Sequence, residues 1–306
     1  MKKILLATEK PFAKEAVAEI KKIGESAGYD VILLEKYPSK ESLLNAVANV
    51  NAIIIRSDIV DKEVINAAKN LEIVVRAGAG YDNIDLAAAT EKNVVAMNTP
   101  GQNSNAVAEL AFGMMIYIAR GCFDGKTGTE LRNKNIGIHA YGNVGKYIAM
   151  IAKGFDMNIF AFDPYVADET MIANGITPVK TVEELYKKCE YVSLHIPAND
   201  ATKKSINYKL LSLMPQNATL VNTARKEVID EDGLLNIMNE RPDFKYVSDI
   251  APSCSHVFEE KFHGRYFFTP NKMGAQTEEA NVNAGIAAIK QIIDFFEKGD
   301  IKFKVN

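Results

Sequence analysis

Short apolar runs alternate with helical patterns along the whole chain, in two successive series. That alternation restricts the fold to parallel sheets flanked by helices, because parallel neighbours need a helical crossover between them. In the first series the apolar runs lie at 4–7, 31–34, 52–55, 73–76 and 94–96. Helical patterns fill the gaps, for example 11–27 and 62–68, the second with Asp61 as N-cap. In the second series the runs lie at 136–140, 158–162, 191–195, 219–222, 246–250 and 266–269. Thr181-Val182-Glu183-Glu184 is a capping box that opens one of its helices. A turn-rich hinge, Asn98-Thr99-Pro100-Gly101-Gln102-Asn103-Ser104, separates the series and leads into a helical stretch, 105–120. The closing stretch, 281–298, is helical with Ala, Ile and Phe on one face. A length of 306 residues leaves room for two domains of roughly 100–200 residues each. The expected fold class is therefore α/β, with two doubly wound parallel-sheet domains.

One turn carries more information than the rest. The run 135–139 leads into Ala140-Tyr141-Gly142-Asn143-Val144-Gly145, a helix is expected over 146–153, and Asp163 ends the next apolar run. This is close to the Rossmann dinucleotide fingerprint. Gly142 lets backbone approach a pyrophosphate, Gly145 lets helix and strand pack closely, and a helix N-terminus offers N–H groups to phosphate. Asp163 lies 18 residues beyond Gly145, near the roughly 20 expected for a carboxylate on the adenosine ribose. Pro164 follows and no Arg stands beside it, so NAD is expected rather than NADP. The usual first glycine is Ala140, which fits a tight turn only where φ stays negative, so a negative φ is expected there.

The bulk properties exclude several classes. A net charge of −3 argues against a nucleic-acid-binding surface. No apolar run approaches the roughly 18 residues of a membrane span. The opening Met1-Lys2-Lys3-Ile4-Leu5-Leu6-Ala7 reads as a buried strand, since Glu9, Lys10, Lys14 and Glu15 deny it a signal-peptide core. Cys122, Cys189 and Cys254 are widely spaced and odd in number, which fits reduced thiols and a cytoplasmic location. His139, His195, His256 and His263 show no metal-ligand spacing, and no metal is expected. His139, inside a central strand, reads as a core histidine.

Six ordered motifs carry a family resemblance. They are Arg76-Ala77-Gly78-Ala79-Gly80-Tyr81-Asp82-Asn83-Ile84-Asp85, Asn98-Thr99-Pro100-Gly101, Val107-Ala108-Glu109-Leu110-Ala111, Ser193-Leu194-His195-Ile196-Pro197 with Thr202, Val221-Asn222-Thr223-Ala224-Arg225, and Lys272-Met273-Gly274-Ala275-Gln276-Thr277. Over nearly its full length the chain resembles the D-isomer-specific 2-hydroxyacid dehydrogenases, most of all the short members that act on 3-phosphoglycerate. The resemblance implies a flavodoxin-like substrate-binding domain (1–98 plus 279–306), a Rossmann NAD-binding domain (99–278) and a homodimer. The stretch 120–131 is shorter than in long members, so the usual details of the dimer contact are not carried over. The implied reaction is NAD-dependent oxidation of 3-phosphoglycerate to 3-phosphohydroxypyruvate, which opens L-serine biosynthesis. Alternatives are reduction of hydroxypyruvate or glyoxylate, action on another D-2-hydroxyacid, and a non-catalytic NAD-sensing protein.

The resemblance also implies residue roles. Arg225 corresponds to the catalytic arginine, whose planar guanidinium can clamp a carboxylate and polarise the adjacent oxygen. Lys272 stands at the family's histidine position. A lysine can move the proton if burial and Arg225 lower its pKa, and an alkaline optimum for oxidation is then expected. The family's glutamate position falls near Cys254, with no Glu there; a catalytic lysine has no imidazole tautomer to fix. Cys254 reads as a bystander, and Glu259 and Glu260 receive no role. Arg56, with Ser57, is implied as the partner of the substrate phosphate. Ala77, Gly78, Ala79 and Gly80 would present backbone to the substrate carboxylate, with Asn103 in the hinge also on the substrate side. Cofactor contacts are implied at Gly142, Asn143, Val144, Gly145, Asp163, His195, Ile196, Pro197, Thr202, Thr223, Ala224, Asp249 and Gly274, with Asp249 facing the nicotinamide amide.

Overall fold

The computed structural model describes residues 1–306, and these divide into two compact units. In chain order the first series is β1 (Lys3–Thr8), α1 (Lys14–Ser26), β2 (Asp30–Glu35), α2 (Lys40–Val47), β3 (Ala52–Ile55), α3 (Lys62–Ala67), β4 (Ile73–Arg76), α4 (Leu86–Glu91) and β5 (Val95–Asn98). The second runs α5 (Ser104–Ala119), β6 (Asn135–His139), α6 (Asn143–Gly154), β7 (Asn158–Phe162), α7 (Asp168–Ala173), β8 (Thr177–Pro178), α8 (Val182–Lys188), β9 (Tyr191–Leu194), α9 (Tyr208–Leu211), β10 (Thr219–Asn222), α10 (Glu231–Glu240), β11 (Lys245–Ser248), α11 (Ser255–Lys261) and β12 (Tyr266–Phe268). The closing helix is α12 (Glu278–Lys298).

The first unit comprises Met1–Asn103 and Gln276–Asn306. Its five strands are all parallel in the order β2-β1-β3-β4-β5. Period-2 geometry sends Leu5, Ile53, Ile55 and Val74 to one apolar core and Ile4, Leu6, Ile54 and Val75 to the other, so both faces are dry. α12 closes the second face beside α1. Glycines permit this approach: a Cβ at Gly285 would lie 2.7 Å from Ile20 Cδ1, and one at Gly24 would lie 3.3 Å from Ile289 Cδ1. Thr277 caps α12 by accepting from the Ala280 N–H, which starts the helix three residues before the apolar periodicity does. Beyond α12, Lys304 bridges Met97 in antiparallel register and Val305 N donates to Ala96 O. Asn306 Oδ1 accepts from Ala96 N while its amide donates to Val94 O.

The second unit, Ser104–Ala275, holds a seven-stranded parallel sheet in the order β12-β11-β10-β9-β6-β7-β8. This is the doubly wound dinucleotide order with one extra strand. α5 and α6 pack on one face around Phe112, Met115, Ile136, Ile138 and Ile148. Val192, Leu194, Leu220 and Tyr246 face the other core. Asp61 and Thr181 cap their helices as expected, accepting from Val64 N and Glu184 N. Glu184 reaches back to Lys180 N, one residue before the cap.

Candidate active site

In each sheet the strand order reverses once, and ligands of open α/β sheets bind beyond the carboxyl ends of the strands at that point. In the second unit the reversal lies between β6 and β9. The turn after β6 carries the fingerprint and corrects two expectations. Ala140 adopts φ +82°, in the left-handed region, not the negative φ expected of an alanine. Its N–H donates to Phe162 O at 2.9 Å and its carbonyl faces Gly145, so neighbouring structure over-determines the conformation. The helix also begins at Asn143, with Gly142 as N-cap, so Asn143, Val144 and Gly145 form its first turn and not a preceding loop.

The residues fit a dinucleotide. No side chain caps the 12-residue α6, which leaves N–H groups at its start for an anion. A Cβ built on Gly142 would meet nothing within 4 Å, so open space lies over that backbone. A Cβ on Gly145 would sit 2.4 Å from Ala140 O, which requires glycine for close packing. Asp163 accepts from Tyr141 N through one oxygen and from Tyr165 N through the other, both at 2.8 Å. That fixes the carboxylate at the turn and leaves a lone pair on each oxygen. His195 Nε2 and Thr223 Oγ1 are buried polar atoms without a protein partner, as is Ser193 Oγ. Such orphans are rare and call for a ligand or water. Burial lowers His195 to about 3, with His139 adding to the effect, and lowers His139 to about 4 against the opposing charge of Asp163. His139 packs edge-on to Phe162 and Tyr186, as a core residue does. Thr202 turns inward, its hydroxyl donating to Pro197 O and accepting from Asn199 N, so it braces the 197–202 loop; Ile196 is buried and Pro197 exposed.

Two loops of the same unit bring the candidate chemistry together. Asn222, buried at the end of β10, folds the first: its Oδ1 accepts from Ala224 N and its amide donates to Arg225 O. The Ala224 carbonyl then accepts from both Arg225 Nη1 (3.0 Å) and Lys272 Nζ (2.7 Å). Much of the Lys272 side chain stays open to solvent, but its amine end sits in protein. Its pKa falls from 10.5 to about 8, first through lost hydration and then through Arg225, with Asp249 and Glu227 opposing. Asp249, at the end of β11, receives Thr269 Oγ1 (3.1 Å), Met273 N (2.8 Å) and Gly274 N (2.8 Å). Cys254 is buried and its thiol is pushed up to about 12 by burial and then by Glu231, which makes it a poor nucleophile. Glu231 accepts from Ser253 N and Cys254 N, so an acid from α10 holds that turn from outside. Glu259 and Glu260 are exposed.

In the first unit the order reverses between β1 and β3, and Arg56 directly follows β3. Its guanidinium lies over Phe12, 5.8 Å from the ring centroid, and donates to Pro11 O and Gln276 Oε1 at 3.3 and 3.4 Å. Burial lowers its pKa, with Asp58 opposing. Ser57 is exposed and Asn103 half-buried. The 77–80 turn is less bare than its sequence implies. Ala77 N donates to Ile55 O and Gly78 N to Arg76 O, which leaves only Ala79 and Gly80 with N–H groups lacking a protein acceptor. Asn98 Nδ2 on Ala79 O and Thr99 N on Gly78 O hold the turn's carbonyls inward. Gly78, at φ +149°, lies under the Arg76 guanidinium, whose Nη1 would be 1.6 Å from a Cβ there. Asn222 and Asn98 stand in motifs to which the sequence assigned no role of their own, and Thr269 carries no motif; a polar side chain at a strand end is the one signal that marks all three.

Residues 114–262 match the family model for the D-isomer specific 2-hydroxyacid dehydrogenase NAD binding domain. A hydroxypyruvate reductase of Thermotoga maritima is 32% identical, over 83% of this chain and 87% of that protein. This chain belongs to the D-isomer-specific 2-hydroxyacid dehydrogenases. It carries the family's NAD binding domain. A D-3-phosphoglycerate dehydrogenase of Methanocaldococcus jannaschii is 33% identical over 94% of this chain and 56% of its own length. The chain spans about half the length of the curated phosphoglycerate dehydrogenases it matches. A crystal structure of NAD+-bound 3-phosphoglycerate dehydrogenase from Entamoeba histolytica is 48% identical, with a TM-score of 0.87, over 100% of this chain and 98% of that one. No helix is long and apolar enough to cross a membrane.

Proposed function

We propose that this protein oxidises D-3-phosphoglycerate to 3-phosphohydroxypyruvate, the first step of L-serine biosynthesis, as a cytoplasmic homodimer. The observation that carries the reading is the shared Ala224 carbonyl, which holds the Lys272 amine beside the Arg225 guanidinium. The likeness to the Entamoeba enzyme over the whole chain supports the substrate. In this reading residues 1–98 with 279–306 bind substrate and 99–278 bind NAD.

The chemistry follows from the two basic side chains. Arg225 clamps the substrate carboxylate and draws electron density from the C2 oxygen. Lys272, as the neutral amine, takes the C2 hydroxyl proton while hydride leaves C2. Bound NAD supplies the acceptor for that hydride. In reduction the ammonium returns the proton to the carbonyl oxygen. Arg56 recognises the phosphate, and Ala79 and Gly80 offer N–H groups to an anion. The neutral lysine does the work in oxidation. With its pKa near 8, roughly one-tenth is competent at pH 7 and roughly nine-tenths at pH 9.

The test is initial NADH formation from 3-phosphoglycerate and NAD between pH 7 and 10. Turnover should rise through about pH 8 and fall by about 10²–10⁴-fold in Lys272→Ala. A wild-type rate independent of pH across that range removes Lys272 from proton transfer. The Thermotoga relative favours one second reading, reduction of unphosphorylated hydroxypyruvate. A kcat/KM for hydroxypyruvate above that for the phosphorylated substrate would select it.

A further inference from the structure

Asp249 is the only carboxylate whose hydrogen bonds reach both ends of the segment that carries Lys272. Oδ1 accepts from Thr269 Oγ1 before that segment and from Met273 N after it, and Oδ2 accepts from Gly274 N. The aspartate is itself 2% exposed and tied to the sheet, its N–H donating to Asn222 O at 2.9 Å. The same Asn222 folds the loop that presents Ala224 O and Arg225. One strand-end pair, Asn222 and Asp249, thus holds both loops of the site. Gly274 completes the fit. A Cβ there would lie 2.7 Å from Asp249 Oδ2, so any side chain would push the carboxylate away.

We propose that Asp249 is the positioning residue for Lys272: it locks the backbone directly after the lysine so that the amine is delivered beside Arg225. Lysine has a long, flexible stem, and a stem of that kind is placed only as well as its Cα is placed. Three of the four lone-pair sites on the carboxylate serve this loop, and the fourth stays open to a further donor such as the nicotinamide amide. Asp249 also bears a negative charge toward the amine, as does Glu227, while Arg225 opposes both. The inference rests on Lys272 being the proton-transfer group, and the experiment separates the two.

Three readings on wild type, Asp249→Asn and Gly274→Ala make the test. The first is the pH dependence of Lys272 amine labelling by reductive methylation in cofactor-free protein, followed by mass spectrometry. The second is the Kd of NADH by fluorescence, and the third is kcat for 3-phosphoglycerate at saturating NAD. In Asp249→Asn an amide N–H must face a backbone N–H, and the nearby negative charge is lost. The expected result is a Lys272 labelling midpoint lower by at least ~0.5 pH unit and a kcat at saturating NAD lower by ~10²-fold, whether or not the NADH Kd also rises. Gly274→Ala should reproduce the loss of kcat without removing any charge, and stands in if the Asn variant fails to fold. Unchanged labelling and kcat in Asp249→Asn, with or without a weaker NADH Kd, would overturn the proposal and leave Asp249 no more than a cofactor contact. A shifted labelling midpoint in a protein that does not turn over 3-phosphoglycerate would uphold the positioning role and sink the assigned reaction.

Discussion

The two units solve one problem with different materials. Each is a parallel doubly wound sheet, and each places its candidate anion-binding group at the single reversal of strand order. The second unit does so with backbone: an uncapped helix start, an open space over Gly142 and a close approach at Gly145. The first unit does so with a side chain, Arg56, held over Phe12 and by the Pro11 carbonyl. Its own turn at 77–80 has already spent half of its N–H groups on Ile55 and Arg76. Backbone recognition suits a group of fixed chemistry, such as a pyrophosphate. A side chain can be exchanged without disturbing the sheet, so it suits the group that distinguishes substrates.

The largest expected difference between the units is their response to acid, because all four histidines belong to the second. His139 and His195 are held neutral in the fold, near 4 and 3, but titrate near 6.5 when unfolded. Below about pH 6.5 the unfolded chain binds protons that the fold refuses. Stability therefore falls as pH drops from 6.5 toward 4, by at most ~1.4 kcal/mol per pH unit for each histidine. Hydrogen exchange at pH 6.5 and 4.5 should show protection lost first in β6 and β9 and later in β1 and β3. Equal loss in both units would break the contrast.

Next in size is Arg56→Ala. Removing a charged partner should raise KM for the phosphorylated substrate by ~10–100-fold and leave the NADH Kd unchanged. Steady-state kinetics on phosphorylated and unphosphorylated substrates would reveal it, and equal losses on both would remove Arg56 from phosphate recognition. Gly145→Ala tests the backbone solution from the other side. Its Cβ would meet a carbonyl oxygen at 2.4 Å, a cost of ~1–3 kcal/mol in urea unfolding together with weaker NADH binding. The smallest effect is expected from Ala140→Gly. Releasing a left-handed alanine should stabilise the second unit by ~1 kcal/mol, read as a higher unfolding midpoint. No gain would mean that the turn carries no strain.

What the sequence disclosed and what it withheld divide along contact range. The Asp61 cap reaches three residues ahead, to Val64, and is legible as a pattern. The apolar runs mark the central strands because burial on both faces demands continuous hydrophobicity, whereas the two-residue β8 offers no such run. Arg225, Lys272 and Asp163 stand in recognisable motifs, and Lys272 does have the lowered pKa expected from burial and Arg225. The hold of Asp249 on residues 273 and 274, and of Glu231 on Ser253, joins residues more than twenty positions apart and follows only from strand order. Ala140 misled for the opposite reason: local sterics disfavour its conformation, and tertiary contacts prevail over them.

The short run of chain after α12 has a further consequence. A parallel sheet ends in strands whose outer N–H and C=O groups can template a stray strand from another molecule. Along β5 that invitation is withdrawn: Lys304 bridges Met97 in antiparallel register, Val305 N donates to Ala96 O, and the Asn306 side chain takes the Ala96 N–H and the Val94 carbonyl. The first unit's sheet thus carries its own terminator on that side. A strand from another molecule approaching that edge would find those β5 groups already paired.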